Sequence, residues 1–426
     1  MTKPRVGFIG LSHLGICSLL SVASKNFKVC GLDDDLNKIN LLKKRITNIE
    51  EKNLDEYLNK YFQNITFTTN YNNLSNCNIV YLSQDISTDN FGNSNLIKVT
   101  KYINKAIKFL DKDALLVIMC QVPPGFTKKI KWPRNQLFYQ VETLIFGQAI
   151  KRASFPERII IGTNSSKLSK KSNLSILLNS FKCPIIPMTY ESAELCKISI
   201  NMFLISNITT ANILSEICEK IGANWNQILP ALRLDKRIGR YSYINTGLGL
   251  SGGNLERDLV SLYKLVSKKS SSSRVINSFI HSSKDNKRWA INKFKILSNS
   301  LPKHSKIGLL GISYKENTNS IKNSPSLDIL KYNHFKNIYC YDPMVDLSKI
   351  KYNFKKANNY ISVIKKCDLL IIMTQWKEFK NINKEMLTKY MKGNIIIDPF
   401  GVLHRLNLNK VGFRYFSKGE SIFNEK

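Results

Sequence analysis

Near the start of the chain, Gly10-Leu11-Ser12-His13-Leu14-Gly15 follows an apolar strand-like run and opens a stretch with helical spacing. A glycine-rich strand-to-helix turn of this kind can receive a dinucleotide's pyrophosphate. The first glycine makes the tight turn, the second lets backbone approach the phosphates, and the third allows close helix–strand packing. Ser12 stands where the second glycine belongs, so a Cβ and a hydroxyl are expected at the phosphates' closest approach. By itself such a turn suits a plain strand–helix connection nearly as well. Asp33 strengthens the dinucleotide reading, because it ends the next strand-like run about twenty residues on. A carboxylate there accepts hydrogen bonds from an adenosine ribose and repels a 2′-phosphate, which favours NAD over NADP. Further along, Lys197 and Asn201 lie four apart within Ser192–Ile221, a stretch free of Pro and Gly. They therefore share one helix face, with Glu194 near the same stripe. Spacing alone explains this set equally well as the polar edge of an apolar helix.

These groups need elements to position them. Arg5–Gly10, Phe27–Leu32, Asn78–Leu82, Ala114–Met119 and Ile159–Gly162 read as strands, with helices at His13–Ser24 and Asn95–Leu110. The alternation predicts a mostly parallel sheet covered on both faces. Ser192–Ile221 reads as one long helix, apolar over enough of its circumference to be buried between domains or subunits. A Gly-rich segment, Asn245–Gly253, follows, and Lys268–Arg274 reads as an exposed turn or hinge within helical sequence. A second strand–helix unit begins at Lys306–Gly311 and continues through Ile338–Tyr341, Asp368–Met373 and Asn394–Asp398. The expected fold class is α/β: two Rossmann-like doubly wound modules joined by a long central helix and a helical middle. The expected boundaries are 1–188, 189–300 and 301–426.

Composition narrows the function classes. Lys and Arg number 64 against 31 Asp and Glu, a formal net charge of +33. The basic residues are dispersed rather than gathered into a stripe with interleaved aromatics, so a nucleic-acid partner is not expected. The positive field would attract a pyrophosphate-bearing substrate and cofactor. The nine cysteines form no C-x-x-C pair and no zinc-type spacing, so no metal site is expected and most are expected to be buried free thiols. No uninterrupted apolar run approaches the roughly 20 residues of a membrane helix. The near-immediate first strand leaves no room for a signal peptide, so the expectation is a cytoplasmic protein without membrane insertion.

A series of ordered motifs then resembles the UDP-glucose/GDP-mannose dehydrogenase family almost end to end. Val122-Pro123-Pro124-Gly125 resembles its S-T-V-P-P-G turn. Glu142-Thr143-Leu144, Gly147–Ile150 and Pro156–Ile159 resemble its P-E-F-L-x-E-G-x-A-I…P-x-R-I stretch. Ser192–Lys197 through Asn201 resembles S-A-E-x-x-K-x-x-x-N, and Asp235–Gly239 resembles D-x-R-I-G. Tyr314–Thr318, Ser324-Pro325, Tyr341–Pro343 and Thr374–Trp376 have family counterparts in the last module. Such relatives oxidise the C6 hydroxymethyl of a nucleotide sugar to a carboxylate in two hydride transfers to NAD, and dimerise through the long helix. The resemblance implies a catalytic set of Lys197, Asn201, Asp258 and Glu142. Lys197 and Asn201 would hold the C6 oxygen or a water, a fixed positive charge stabilising developing alkoxide, with Glu142 as acid or base. It implies a cofactor set of Gly10, Ser12, His13, Leu14, Gly15, Asp33, Lys38, Gln121, Arg257 and Lys322. The implied substrate set is Arg237, Tyr243, Asn245, Gly252 and Lys315, and the implied partners are a nucleotide sugar and a second copy of the chain.

One departure bears on mechanism. The family's G-x-G-F-G-G-x-C-x-P-K-D segment reads here Gly247-Leu248-Gly249-Leu250-Ser251-Gly252-Gly253-Asn254-Leu255-Glu256-Arg257-Asp258, so Asn254 occupies the position of the catalytic cysteine. In the family the thiolate forms a thiohemiacetal that gives up the second hydride and leaves a thioester for water to cleave. An amide is no nucleophile, so covalent catalysis is lost at this residue. Cys196 adjoins Lys197 and points about 100° away around the helix, a poor substitute. Gln121, Phe146 and Glu256 depart from the family pattern in the same motifs, while Glu142, Lys197, Asn201, Arg237 and Asp258 are kept. The expectation is altered redox chemistry: NAD-dependent oxidation without a thioester, to aldehyde or uronate, with Asn254 donating to the tetrahedral oxygen. A non-catalytic nucleotide-sugar-binding paralogue is the alternative.

Overall fold

The computed structural model describes residues 3–86, 89, 95–251, 254–332 and 335–420. The chain packs as two compact units, Met1–Ile200 and Asn201–Lys426.

The first unit is built on eight strands: β1 (Val6–Ile9), β2 (Val29–Leu32), β3 (Ile65–Thr68), β4 (Ile79–Leu82), β5 (Leu115–Ile118), β6 (Leu137–Gln140), β7 (Ile159–Thr163) and β8 (Ile185–Thr189). Their order in the sheet is β3-β2-β1-β4-β5-β6-β7-β8, parallel except where β6 meets β7. Side chains alternate between two buried faces: Val6 and Phe8 of β1 join one core, and Ile9 joins the other. A sheet buried on both faces needs such near-continuous apolar strands. The interleaved helices are α1 (His13–Ala23), α2 (Leu36–Lys43), α3 (Leu54–Tyr61), α4 (Ile97–Ala106), α5 (Ala149–Ser154) and α6 (Asn173–Asn179). The strand order reverses between β1 and β4, which is where an open α/β sheet offers a ligand crevice at its carboxyl edge.

Helix α7 (Tyr190–Ile221) follows β8 without a loop. Its start precedes the expected Ser192 because the Thr189 hydroxyl, at the strand's end, accepts the Ser192 N–H. In the second unit α8 (Trp225–Leu234), α9 (Asn254–Leu265) and α10 (Ser271–Ser298) follow. The side chain of Ser270 accepts the Ser273 N–H and caps α10, so the Lys268–Arg274 segment is a turn only to Ser270 and helix thereafter. The remaining elements are β9 (Lys306–Leu310), α11 (Ser326–Lys331), β10 (Asn337–Tyr341), β11 (Lys355–Lys356), α12 (Tyr360–Ile364), β12 (Leu369–Ile372), α13 (Lys384–Tyr390), β13 (Ile395–Ile397) and β14 (Arg414–Phe416). They form an all-parallel sheet ordered β11-β10-β9-β12-β13-β14. Leu369 and Ile371 of β12 face one core, Leu370 and Ile372 the other. The end of α10 belongs to the first of these cores through Ala290, Ile291, Phe294 and Leu297.

The α/β fold class expected from the sequence is therefore present, with two Rossmann-like sheets and a long central helix. Two details differ. The strands are shorter than their apolar runs, because residues such as Phe27 and Met119 are buried beyond the ends of the ladders. And α7 is not buried all round: Leu195, Phe203, Ile213, Leu214, Ile217 and Ile221 are exposed on this single chain. By length and mean hydropathy alone α7 passes as a candidate membrane span. Its buried Glu194, Lys197, Asn201, Asn212 and Ser215 sit within protein instead. All nine cysteines are unpaired with each other as disulfides, and seven are buried.

Candidate active site

In the first unit, Gly10 takes a φ of +85°, and a Cβ there would fall 2.8 Å from Cβ of Gln84. A Cβ on Gly15 would stand 2.0 Å from the Gly10 carbonyl oxygen, so α1 can pack this close to the strand end only through a glycine. The turn is pinned by Asp33, 2 % exposed at the end of β2. Its Oδ2 accepts the Leu11 N–H and the Lys38 ammonium, each at 2.8 Å, and its Oδ1 accepts the Asp35 N–H at 3.1 Å. Lys38, Asp33 and the glycine turn are thus brought together as expected. A cavity of about 310 Å³ opens beside them, lined by Asp33–Asp35, Tyr102 and the lysines Lys98, Lys101 and Lys105. Its size, aromatic wall and carboxylates fit an adenosine moiety.

Ser12 behaves differently from the expectation of a hydroxyl left projecting toward the phosphates. Its Oγ donates to the Ser83 carbonyl at 3.1 Å and accepts the Asp85 N–H at 3.0 Å, which ties it to the loop after β4. His13 places Nε2 2.9 Å from Oε2 of Glu51, and its ring lies 4.3 Å from that of Phe146. Glu51 also accepts the N–H groups of Gly147 (2.9 Å) and Ala149 (3.0 Å), the latter at the start of α5. This fully buried carboxylate clamps the 147–149 backbone against α1. Sequence reasoning missed it, since one glutamate in a polar stretch between helices has no spacing to mark it.

Lys197, 9 % exposed, lies on α7 with its ammonium 3.3 Å from Oε2 of Glu142. Glu142 is fixed in turn by the Leu144 N–H, which donates to Oε1 at 2.7 Å. Two members of the expected catalytic set, Lys197 and Glu142, are therefore side by side. Glu194 serves another purpose than its nearness to that stripe suggested. Its carboxylate accepts the Gly125 and Thr127 N–H groups (2.5 and 2.8 Å), so it anchors the Val122–Gly125 turn. Burial pushes this carboxyl up, and those bonds pull it back. Gln121 leads from β5 into the same turn.

In the second unit, Asn201, one turn beyond Lys197 on α7, donates from Nδ2 to Oδ2 of the buried Asp258. Arg257, also buried, places Nε 3.5 Å from Oδ1 of Asp258. Asn254 opens α9 and is exposed. It stands four residues before Asp258, so the two share a helix face. Glu256, in the first turn, is bonded by Lys287 of α10 and by Asn323. Neither partner carried a sequence signal, because each is distant along the chain. Of the expected substrate residues, Arg237 pairs with Asp235 and its side chain is 88 % exposed. Tyr243 is exposed, Asn245 accepts from Arg233 at 2.6 Å, and Gly252 lies outside the described residues. Lys315 and Lys322 are half-buried on the segment between β9 and α11. That segment turns at Gly311 (φ +87°), where Asp342 accepts the Ile312 and Ser313 N–H groups at 2.7 and 3.0 Å and Trp376 Nε1 at 3.2 Å. Asp342 fills the structural part that Asp33 plays in the first sheet. Among the described residues no group of three or more His, Cys, Asp or Glu side chains is placed to hold a metal ion.

A glycine turn at a sheet's switch point, an end-of-strand carboxylate and a lysine–carboxylate pair nearby define an NAD-dependent oxidoreductase of the two-Rossmann, nucleotide-sugar dehydrogenase class. The chain belongs to the UDP-glucose/GDP-mannose dehydrogenase family. The family's NAD binding domain matches residues 4–180, its central domain 191–284 and its UDP binding domain 308–405. The chain is 30 % identical over 438 residues to the UDP-glucose 6-dehydrogenase of Rickettsia conorii, covering 98 % of this chain and 100 % of that one. It is 26 % identical over 432 residues to a UDP-glucose 6-dehydrogenase of Bacillus subtilis, covering 97 % and 93 %. Two solved structures share the fold. A UDP-glucose dehydrogenase from Pyrobaculum islandicum matches with TM-score 0.85 at 19 % identity, over 99 % of this chain and 98 % of that one. A UDP-D-ManNAc dehydrogenase from Pyrococcus horikoshii matches with TM-score 0.82 at 23 % identity, over 97 % and 99 %. NAD is the cofactor, and the residues around Gly10, Gly15 and Asp33 fit it.

Proposed function

We propose that this enzyme oxidises the C6 hydroxymethyl of a nucleotide hexose, of the UDP-glucose or GDP-mannose type, without a sulfur-linked intermediate. The observation that carries the reading is Asn254 at the head of α9, on the helix face of Asp258, with Asp258 bonded to Asn201. NAD, when bound, accepts hydride from the sugar carbon. Lys197 faces the C6 oxygen and stabilises its negative charge as the carbon–hydrogen bond breaks. Glu142, beside that ammonium, takes up the hydroxyl proton and passes it to solvent. For a second oxidation, water adds to the aldehyde. Asp258 orients that water while the Asn254 amide donates to the resulting tetrahedral oxygen. Gly10, Ser12, His13, Leu14, Gly15, Asp33 and Lys38 serve the dinucleotide, with Gln121, Arg257 and Lys322 reaching its other end. Arg237, Tyr243, Asn245, Gly252 and Lys315 serve the sugar nucleotide.

The sequence division into 1–188, 189–300 and 301–426 accords with these roles. The exposed apolar side chains of α7 support a homodimer through that helix, and nine free thiols support a reducing compartment such as the cytoplasm. The test is a panel of UDP- and GDP-sugars with NAD, counting NADH formed per sugar consumed. One NADH means the reaction stops at the aldehyde, and two mean that water completes it. Tight nucleotide-sugar binding with no NADH from any member would overturn the redox reading in favour of a binding paralogue.

A further inference from the structure

Glu51 lies on the loop between α2 and α3, far along the chain from the catalytic set, yet its side chain is fully buried. A carboxyl group taken out of water is tolerated only where its oxygens find partners. Here there are three. Oε2 lies 2.9 Å from Nε2 of His13 and accepts the Gly147 N–H at 2.9 Å, while Oε1 accepts the Ala149 N–H at 3.0 Å. His13 opens α1, the helix that follows the glycine turn, so Glu51 ties the 147–149 backbone to the cofactor's turn. From that anchor the chain is bonded back to Glu142. The Gln148 N–H donates to the Ile145 carbonyl and Arg152 Nε to the Thr143 carbonyl, each at 2.9 Å, and the Leu144 N–H donates to Glu142 itself. Residues 141–145 belong to no helix or strand, so these bonds and the Lys197 ammonium are what hold Glu142 in place.

We propose that Glu51 is a positioning residue for the oxidation: it fixes the loop that presents Glu142, and fixes it relative to the dinucleotide turn. The inference rests on the acid–base role proposed for Glu142. Glu51 itself meets neither sugar nor cofactor and acts through that second carboxylate. A glutamate that only steadied the start of α5 would change stability without entering the kinetics through Glu142.

The experiment is a cycle of kcat values at saturating NAD for the wild type, Glu51→Gln, Glu142→Gln and the double variant, using the sugar nucleotide that the panel identifies. Glu51→Gln keeps the shape and one accepting oxygen, so it can serve one end of the clamp but not both. It should lower kcat about tenfold, less than the roughly hundredfold that an ångström of misplacement can cost. KM for the sugar nucleotide should barely move, the split expected when alignment in the transition state alone is lost. Glu142→Gln should cost more, and the double variant should match it, because a displaced loop costs nothing further once its carboxylate is gone. A second readout needs no turnover. Hydrogen-exchange mass spectrometry without NAD should find the Gly147 and Ala149 amides slow in the wild type and faster in Glu51→Gln, with β1 unchanged. The proposal is overturned if Glu51→Gln keeps full kcat, if the two substitutions multiply, or if those amides exchange freely in the wild type, a result that requires no variant to fold. Full kcat in Glu142→Gln would instead sink the acid–base role itself, and this positioning with it.

Discussion

Asn254 and Asp258, one helical turn apart at the head of α9, concentrate what is unusual about this enzyme. A helix N-terminus stabilises a thiolate, and the proposed alignment sets the family's cysteine at this position. Asn254→Cys should therefore give a thiol that reacts faster than the buried ones, and should raise NADH yield toward two per sugar. Quench-flow counting of NADH with a thiol titration checks this. A variant with a reactive thiol and an unchanged yield would show that the retained Lys197, Glu142 and Asp258 no longer support covalent catalysis. At this scale the sequence was legible where chemistry follows periodicity. Lys197 and Asn201 lie on one face of one helix, and Asp33 ends its strand. It was illegible where a side chain answers a distant backbone. Glu51 and Asp85 are marked by no spacing. Glu194 was placed on the right stripe, but its bonds to Gly125 and Thr127 come from a turn far along the chain.

Among the elements, the C-terminal segment ties itself to three others through one ammonium. Lys418 donates to Asn212 of α7 and the Gly247 carbonyl, each at 3.0 Å, and to Asn286 of α10. Burial lowers its pKa from 10.5 to about 8, with Glu219 and Glu216 opposing that fall. The unfolded lysine therefore holds its proton over a range where the folded one has lost it. Below about pH 8 both states are protonated and the burial cost is present in full. Between about pH 8 and 10.5 the unfolded state binds more protons, and stability rises with pH. Urea melts of the wild type and Lys418→Met at pH 7.5 and 10 should show this rise only in the wild type, once titrations common to both are subtracted. Equal pH dependence in the two would refute it. Nothing in the spacing of residues warns of such a knot, because Lys418 follows a short strand that was not anticipated. β3, β6, β8 and β14 escaped for a related reason. They are three to five residues long, and their patterns mean little until a neighbouring strand pairs with them. The long helix was plain, since an uninterrupted stretch without Pro or Gly needs no partner to be recognised.

For the molecule as a whole, a net charge of +33 accompanies an apolar strip along α7 where Phe203 is 75 % exposed. Burying that strip against a second copy removes apolar surface from water but brings two strongly positive bodies together. Self-association should accordingly strengthen as salt is raised toward physiological strength and screens the repulsion. Phe203→Asp should abolish it, and sedimentation velocity at two salt concentrations reads both effects. Weaker association at higher salt, or a dimer that survives the substitution, would place the contact elsewhere. The burial of most of the nine sulfurs has a consequence of another kind. Relatives that rely on a thiolate can be silenced by peroxide or any soft electrophile that reaches it. If turnover follows the proposed sulfur-free route, peroxide at a dose that silences a thiolate enzyme should leave the NADH formed by this one unchanged.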